Sequence, residues 1–390
     1  MIPSTPAWRG RRAQIFLLVV VCVALLIGIG LLTLLEGTPS LSLSNLWVIF
    51  NGGGTSLARV VVLQLRLPRL VLAILAGAML ALSGGMLQDA LQNALAGPEL
   101  LGVSAGATVV VAAITILHLA VIFSVVPWLA LVGGLIGGSI VILTMHQARD
   151  PVRLVLTGAA LTALLNASVI IFMSLGSQND ISLLFLFLVG SLANRTWLHV
   201  SLILPWAVIS IPLALLCARP LNVLRLGDDV ARGLGLPVFH FRVLILVLST
   251  ALVAAVVAVC GPISFIALLA PHLARRILKT SDSRVVLPCA ALIGSLLLCG
   301  ADLFARQAFD PQELPVGVWT TLIGGPFLLL LLRRQLSRRR GPPLRPDEPQ
   351  LAADERRVRS EQEEDYPSDR MSRRLAADER RVRSEQEEEQ

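Results

Sequence analysis

The residues able to do chemistry in this sequence are arginines and acids set beside long apolar runs. Arg66 and Arg69 stand three apart in QLRLPRLVLAILAG, and Asp302 and Arg306 stand four apart in GADLFAR. A spacing of four places Asp302 and Arg306 on one helix face, where they can pair. A guanidinium fork holds a carboxylate through two parallel hydrogen bonds, so arginines here suit the recognition of acids. Their plainer role is to mark the end of a span and snorkel to lipid headgroups. Spacing alone leaves both roles open for Arg66 and Arg69.

No enzyme motif accompanies these groups. A phosphate-binding loop needs glycines ahead of its Lys-Thr pair, but Lys279-Thr280 follows Arg275-Arg276-Ile277-Leu278. HExxH is absent, and no convincing nucleophile elbow is present. Cys22, Cys217, Cys260, Cys289 and Cys299 lie within or beside apolar runs with no CxxC pair, as buried reduced thiols do. The five histidines are scattered, so no metal site is expected. His272 follows Pro271 in CGPISFIALLAPHLARR. It can bond carbonyls freed by the proline, or it can titrate.

Helices in a membrane must position these residues. The chain has 390 residues, is 55% hydrophobic and has a mean hydropathy of +0.75. Many stretches reach the roughly 18 apolar residues that cross a bilayer as a helix, and helices satisfy their own backbone groups in lipid. Spans are predicted near 15–35, 70–88, 99–117, 121–144, 152–175, 198–217, 243–260, 263–278, 285–304 and 315–332. The fold class is therefore all-α and polytopic, with about ten transmembrane helices in a domain of 15–332. The run 263–278 is expected to be broken at Pro271. ISLLFLFLVGSL, residues 181–192, is too short to span and reads as a half-helix or re-entrant piece. The pairs Gly102/Gly106, Gly133/Gly137 and Gly134/Gly138 read as sites of close helix packing.

Charge gives the expected orientation. With residues 1–14 cytoplasmic, the inner loops hold Arg149, Arg153, Arg219, Arg225, Arg232, Arg242, Arg275, Arg276, Lys279 and Arg284. The outer loops hold only Arg59, Arg66, Arg69, Arg195 and Arg306. This asymmetry predicts a multi-pass protein with both termini inside. The N-terminal run is too long for a signal peptide core and reads as a retained first span. From Arg333 onward, 15 arginines balance 15 acids, so the net +7 lies in the first 332 residues. There the excess sets topology, and no nucleic-acid partner is implied. The tail 333–390 repeats LAADERRVRSEQEE at 351–364 and 375–388 and reads as disordered or as a solvated charged helix.

The longest inner loop before the tail is RPLNVLRLGDDVARGLGLPV, residues 219–238. Asp228 or Asp229 can start a short helix there, and Gly233 and Gly235 can end it. Val230 and Leu234 would share one face. That face suits a groove on a cytoplasmic partner or a bed of headgroups equally well.

Taken together, the chain resembles the permease subunits of bacterial ABC importers for iron-siderophores, heme and vitamin B12. The resemblance rests on LRLPRLVLAILAGAMLALSGGMLQ, NALAGPELLGVSAGA, LGDDVARGLG, GPISFIALLAPHLARR and ADLFAR…ELPVGV…GGPFLLLLL. These stretches come in family order over roughly residues 60 to 332. The resemblance implies a fold like the vitamin B12 importer permease, dimerised with a second copy or a paralogue. It implies two ATP-binding subunits below, which would hold ATP and magnesium, and a periplasmic binding protein above. Gly227, Asp228, Asp229, Ala231, Leu234 and Gly235 then match coupling helices that sit in the ATPase. Arg66, Arg69 and Arg306 match arginines that receive acids of the binding protein. Asn93 and Leu95 match a stretch at the cytoplasmic gate, and Pro271 and His272 fall on the path or a hinge. Two positions depart from the pattern. Ala94 stands where the family has proline, and Ala267 stands where it usually has glycine.

The implied function is an inner-membrane permease that moves an iron chelate by alternating access, with no catalysis and no bound cofactor of its own. Gly261-Pro262-Ile263 resembles the siderophore-type members, so a ferric siderophore is expected ahead of heme or vitamin B12. An ion-coupled secondary carrier is the alternative from another class. It would need an acid nearer the midplane than Asp89, Glu99 and Asp302, which all fall near span ends.

Overall fold

A computed structural model of the chain describes residues 7–37, 40–144, 151–309 and 312–339. The duplicated stretch of the tail and the first six residues lie outside them. Every regular element among the described residues is helical. In order they are α1 (Ala7–Leu35), α2 (Leu43–Phe50), α3 (Ser56–Val60), α4 (Leu67–Ala90), α5 (Val103–Ile116), α6 (Val126–Thr144), α7 (Pro151–Leu175) and α8 (Gln178–Val189). There follow α9 (Trp197–Leu216), α10 (Ala218–Leu224), α11 (Asp228–Gly233), α12 (Val238–Cys260), α13 (Ile266–Leu278), α14 (Ser283–Gln307) and α15 (Val316–Arg339). Residues up to Pro326 form one compact unit, and a second begins at Phe327, inside α15.

All ten predicted runs coincide with helices, but they differ in kind. Among the described residues, seven helical stretches are long and apolar enough to cross a membrane: Arg12–Leu35, Ser56–Ala90, Val126–Thr144, Val155–Leu175, Trp197–Leu216, Val238–Cys260 and Ser283–Gln307. The other three are α5 with 14 residues, α13 with 13, and the apolar part of α15, Val316–Leu330. At 1.5 Å per residue, α5 covers only about 21 Å. The 3-10 turn Pro98–Leu101 ahead of it extends that reach.

Three expectations need correction. The predicted span at 70–88 is part of a helix of 35 residues, Ser56–Ala90. Arg66 and Arg69 read as a boundary, but a π-helical turn, Val61–Arg66, joins the helix across it. Leu67 N donates to Val62 O, five residues back, and the wider turn leads into Pro68 without a break. Pro271 does not interrupt its helix either, because α13 is continuous through it. The proline ring leaves Ala267 O without its usual amide, and that carbonyl lies directly against Gly84 of α4, where any Cβ would collide with it. Finally, α1 starts at Ala7, ahead of the predicted 15.

The core centres on α4 and α12, both buried along most of their length, with α14, α13 and α9 packed around α4. In contrast, α1 and α7 turn apolar side chains outward, as helices facing lipid do. The glycine pairs mark close approaches. A Cβ at Gly137 would stand 2.6 Å from Gly102 O, and one at Gly133 would stand 2.7 Å from Gly106 O, so α5 and α6 touch through their backbones. The predicted half-helix is α8. It starts at Gln178 because Ser177 and Asp180 form a capping box there, and it ends at Gly190, whose φ is +80°. Ser191 N then donates to Cys260 O at 2.8 Å, and Gly317 N to Gly190 O at 3.1 Å. The segment 190–191 is thereby tied to the end of α12 and the start of α15.

Candidate functional site

Charged groups gather at the two ends of α4. Arg69 lies near its start and Asp89 at its end, twenty residues and about 30 Å apart along the axis.

At the first end, Arg69 grips Asp302 of α14. Its Nε donates to Oδ1 at 3.1 Å and Oδ2 at 3.0 Å, and Nη2 donates to Oδ1 at 2.8 Å. Nη1 holds Glu313 Oε2 at 2.7 Å. Asp302 therefore pairs with Arg69, across 233 positions of sequence, and not with Arg306 as the spacing of four suggested. Arg66 and Arg306 do different work. Arg66 Nη1 donates to Leu34 O at 2.8 Å, and Arg306 donates to Thr33 O at 3.3 Å and Glu36 O at 3.2 Å. Thr33 O and Leu34 O belong to the last turn of α1, where a helix leaves four acceptors unmatched and favours positive charge, and Glu36 O lies just past it. Gly37, with φ +114°, lets the chain turn there, and a Cβ on it would stand 2.8 Å from Arg306 Nη2. The structure brings the three expected docking arginines together, but it buries Arg66 to 4% and Arg69 to 9% exposure. Glu313, which also lies 4.0 Å from Arg306 Nε, is the exposed acid of the group.

At the other end lies the loop helix α11. Gly227, with φ +104°, is its N-cap, and no side chain caps it. Asp228 does not cap because Arg242 of α12 takes its carboxylate, through Nη2 to Oδ1 at 2.7 Å and Nη1 to Oδ2 at 3.1 Å. That hydrogen bonding holds the Asp228 carboxyl below its ordinary value of 3.8. The helix ends in a Schellman motif at Gly235, with Leu236 N bonded to Ala231 O and Gly235 N to Arg232 O. Ala231 is fully buried, whereas Val230 and Leu234 are 50% and 65% exposed and Asp229 projects into solvent.

Just past the Asp89 end, α4 passes into the turn that carries Asn93 and Leu95. Gln92 takes a left-handed conformation, φ +50°, in a second Schellman-like end, with Asn93 N bonded to Gln88 O at 3.1 Å. Asn93 Oδ1 then accepts from Leu95 N at 3.0 Å, and Asn93 O accepts from Ala96 N at 3.0 Å. Asn93 holds this turn with alanine at position 94, so the missing proline leaves it intact. Pro271 is buried within α13, and His272 beside it is half-buried.

Sequence reasoning missed the hub that joins these parts. Asp89 accepts from Arg275 Nη2 at 2.9 Å and Ser283 Oγ at 2.7 Å, and Arg225 Nε lies 3.4 Å away. The visible signal was an acid next to the last residue of an apolar span. Its three partners come from distant segments, so no local spacing could supply them.

The architecture and these motifs agree with what the chain is similar to. It is 41% identical over 274 residues to the Fe(3+) dicitrate transport system permease protein FecD of Escherichia coli, covering 70% of this chain and 85% of that one. It is 40% identical over 318 residues to the hemin transport system permease protein HmuU of Yersinia pestis, covering 78% and 92%. Among solved structures, an ABC transporter described as of the metal-chelate type, in an inward-facing conformation, superposes with a TM-score of 0.71 at 27% identity. That match covers 80% of this chain and 97% of that one. A family model matches residues 24–334, from within α1 to within α15, and the chain therefore belongs to the FecCD transport family.

Proposed function

We propose that this permease is the membrane-spanning subunit of an ATP-driven importer that carries an iron chelate inward by alternating access. The observation that carries the reading is the form of α11. The helix is fastened from behind by buried Ala231 and by the Asp228–Arg242 clamp, and it presents Val230 and Leu234 in front. Leu226, just ahead of the helix, is likewise exposed. A rigidly held helix with an open apolar face fits a groove on a soluble partner. The partner proposed is an ATP-binding subunit, two per permease dimer, which would supply ATP and magnesium. A second permease, copy or paralogue, would complete the path. Asn93, Leu95, Pro271 and His272 would lie at its gate or hinge.

The opposite end of α4 would receive a periplasmic binding protein. An approaching carboxylate would contend with Glu313 for Arg306, where the existing contact of 4.0 Å is the loosest in the cluster. This reading places α11 on the cytoplasmic side of a bacterial inner membrane, with both termini there, in keeping with the positive-inside asymmetry. The cargoes named for the relatives, ferric dicitrate and hemin, are both iron chelates. A ferric siderophore is the first reading, with heme or vitamin B12 as alternatives. The pairing of Asp89 and Asp302, each held by arginine, argues against an ion-coupled carrier.

The test replaces Val230 and Leu234 together by glutamate. ATPase subunits should co-purify at least about tenfold less well, a change of ~1.4 kcal/mol. Uptake of radiolabelled iron, offered as dicitrate, hydroxamate and heme, should fall with it. Undiminished co-purification would remove α11 from the role.

A further inference from the structure

The charges around α11 do not stop at α11. The surrounding segment is tethered by polar contacts to the end of α4 and to the α13–α14 junction. Asn222 of α10 donates to Asp282 Oδ1 at 2.6 Å and accepts from Ser283 N at 2.7 Å. Arg225, which closes α10, bonds to Ser281 O and approaches Asp89. Gln92 donates to Leu224 O at 2.7 Å, and Arg242, the clamp of Asp228, also donates to Ala90 O at 3.3 Å. The residue at the centre of this web is Asp89, which is only 2% exposed.

Asp89 is shared unequally. One carboxylate faces two guanidinium groups on the same oxygen, Oδ1, with Arg275 at 2.9 Å and Arg225 at 3.4 Å. Arg275 comes from α13, and it also donates to Gln88 Oε1. Its Nε is buried and carries no hydrogen bond. A buried carboxylate must keep a cationic partner, because losing one leaves an uncompensated charge. With two available, it can exchange one for the other without passing through an unpaired state. The side chain of Arg225 is 27% exposed and sits at the base of α11, so it is the partner that a displaced α11 would move.

We infer that Asp89 is a positioning residue of the transport cycle, which converts displacement of α11 into movement of the turn at residues 93–96 by trading contact between Arg225 and Arg275. The inference rests on the reading of α11 as the ATPase-docking helix. It adds the route by which docking reaches the gate. When α11 moves toward the membrane, Arg225 gains on Asp89 and Arg275 gives way, loosening one of the ties of α13 to α4. When α11 withdraws, Arg275 recovers the carboxylate and the junction re-forms. The last turn of α4 and the turn that follows it move with Asp89, since both grow from the same helix end.

The experiment uses the full permease with its co-purifying ATPase, in lipid nanodiscs, carrying a spin label on Ala94→Cys. Ala94 is exposed, and the five native cysteines are buried. In the parent, ATP should change the spectrum of the label. Arg225→Gln leaves Asp89 paired one to one with Arg275, so the protein should fold and keep its ATPase. Under the inference the ATP-induced change is lost while co-purification and ATP hydrolysis persist. Asp89→Asn should give the same loss wherever it accumulates in the membrane. An ATP response that survives Arg225→Gln overturns the inference, as does a parent label that ignores ATP. Failure of the parent to retain any ATPase strikes instead at the docking role of α11, so the two failures are distinguishable.

Discussion

At the scale of single residues, the arginines of the first end separate by what they hold. Arg69 is bound to a buried carboxylate, and Arg306 to backbone carbonyls at the end of α1. Arg69→Ala leaves Asp302 buried without its counter-charge and should cost about 3–5 kcal/mol. Arg306→Gln removes bonds to backbone carbonyls and a loose contact with Glu313, and should cost less, about 1.5–3 kcal/mol. Thermal unfolding of the purified protein checks both. Docking is better probed at Arg306 than at Arg69, where lost stability would mask lost recognition. Asp228 makes a pH-dependent case. Its carboxyl titrates below the ordinary 3.8 because Arg242 hydrogen-bonds the charged form. The stabilisation is complete above 3.8, declines as pH falls from 3.8 through the lowered folded value, and is absent below it. Hydrogen exchange at the Ala231 and Leu234 amides should accelerate across that window, and Asp228→Asn should remove the dependence. The sequence made the chemistry of these residues legible in kind, as arginine beside acid. It paired Asp302 with the wrong arginine, because a helix period shows neighbours four apart and says nothing of Arg69 on another helix.

At the scale of elements, length and apolar pattern revealed the long helices and the short α8, but not α2, α3 or α10. The mistakes fell at apparent breaks. Arg66 and Arg69 read as the edge of a span and Pro271 as an interruption, yet a π turn carries the helix across the first, and the space left by Gly84 accommodates the carbonyl that the second releases. Such compensation depends on a partner helix or on a turn geometry that residue type alone does not encode. Gly84 is therefore expected to be intolerant of any side chain. Gly84→Ala should push α13 away from α4 and cost about 1–3 kcal/mol, as overpacking does. Gly28→Ala is the control, since Gly28 in α1 has nothing within 4 Å of a Cβ and alanine is the better helix former. Its melting temperature should hold or rise slightly.

At the scale of the whole molecule, one long helix links two charged ends, and the family to which the chain belongs gives that arrangement its setting. The membrane character was plain from composition, since 55% hydrophobic residues cannot be hidden in a soluble core of this length. The hub at Asp89 was not, because it is assembled from α4, α10, α13 and α14, whose meeting is a property of the fold. With Asp89 and Asp302 each held by arginine, the protein should take its energy from ATP and not from a proton gradient. In membrane vesicles supplied with ATP, a protonophore should leave uptake of ferric dicitrate or hydroxamate unchanged, and depletion of ATP should stop it. The reverse pattern would favour the ion-coupled alternative.

The π turn at Val61–Arg66 has a bearing on chain length. Each bond there closes over five residues where an α turn closes over four, so this segment holds one residue more than a plain helix would need. Removing Val61 or Leu63 should let the helix rewind as α without breaking. The segment upstream would then rotate about the axis by roughly 100° relative to Arg69, carrying Arg59 and the α2–α3 hook round to a new azimuth. A single residue thus works here as an angular setting, by which relatives of different length could aim the same surface at differently shaped visitors.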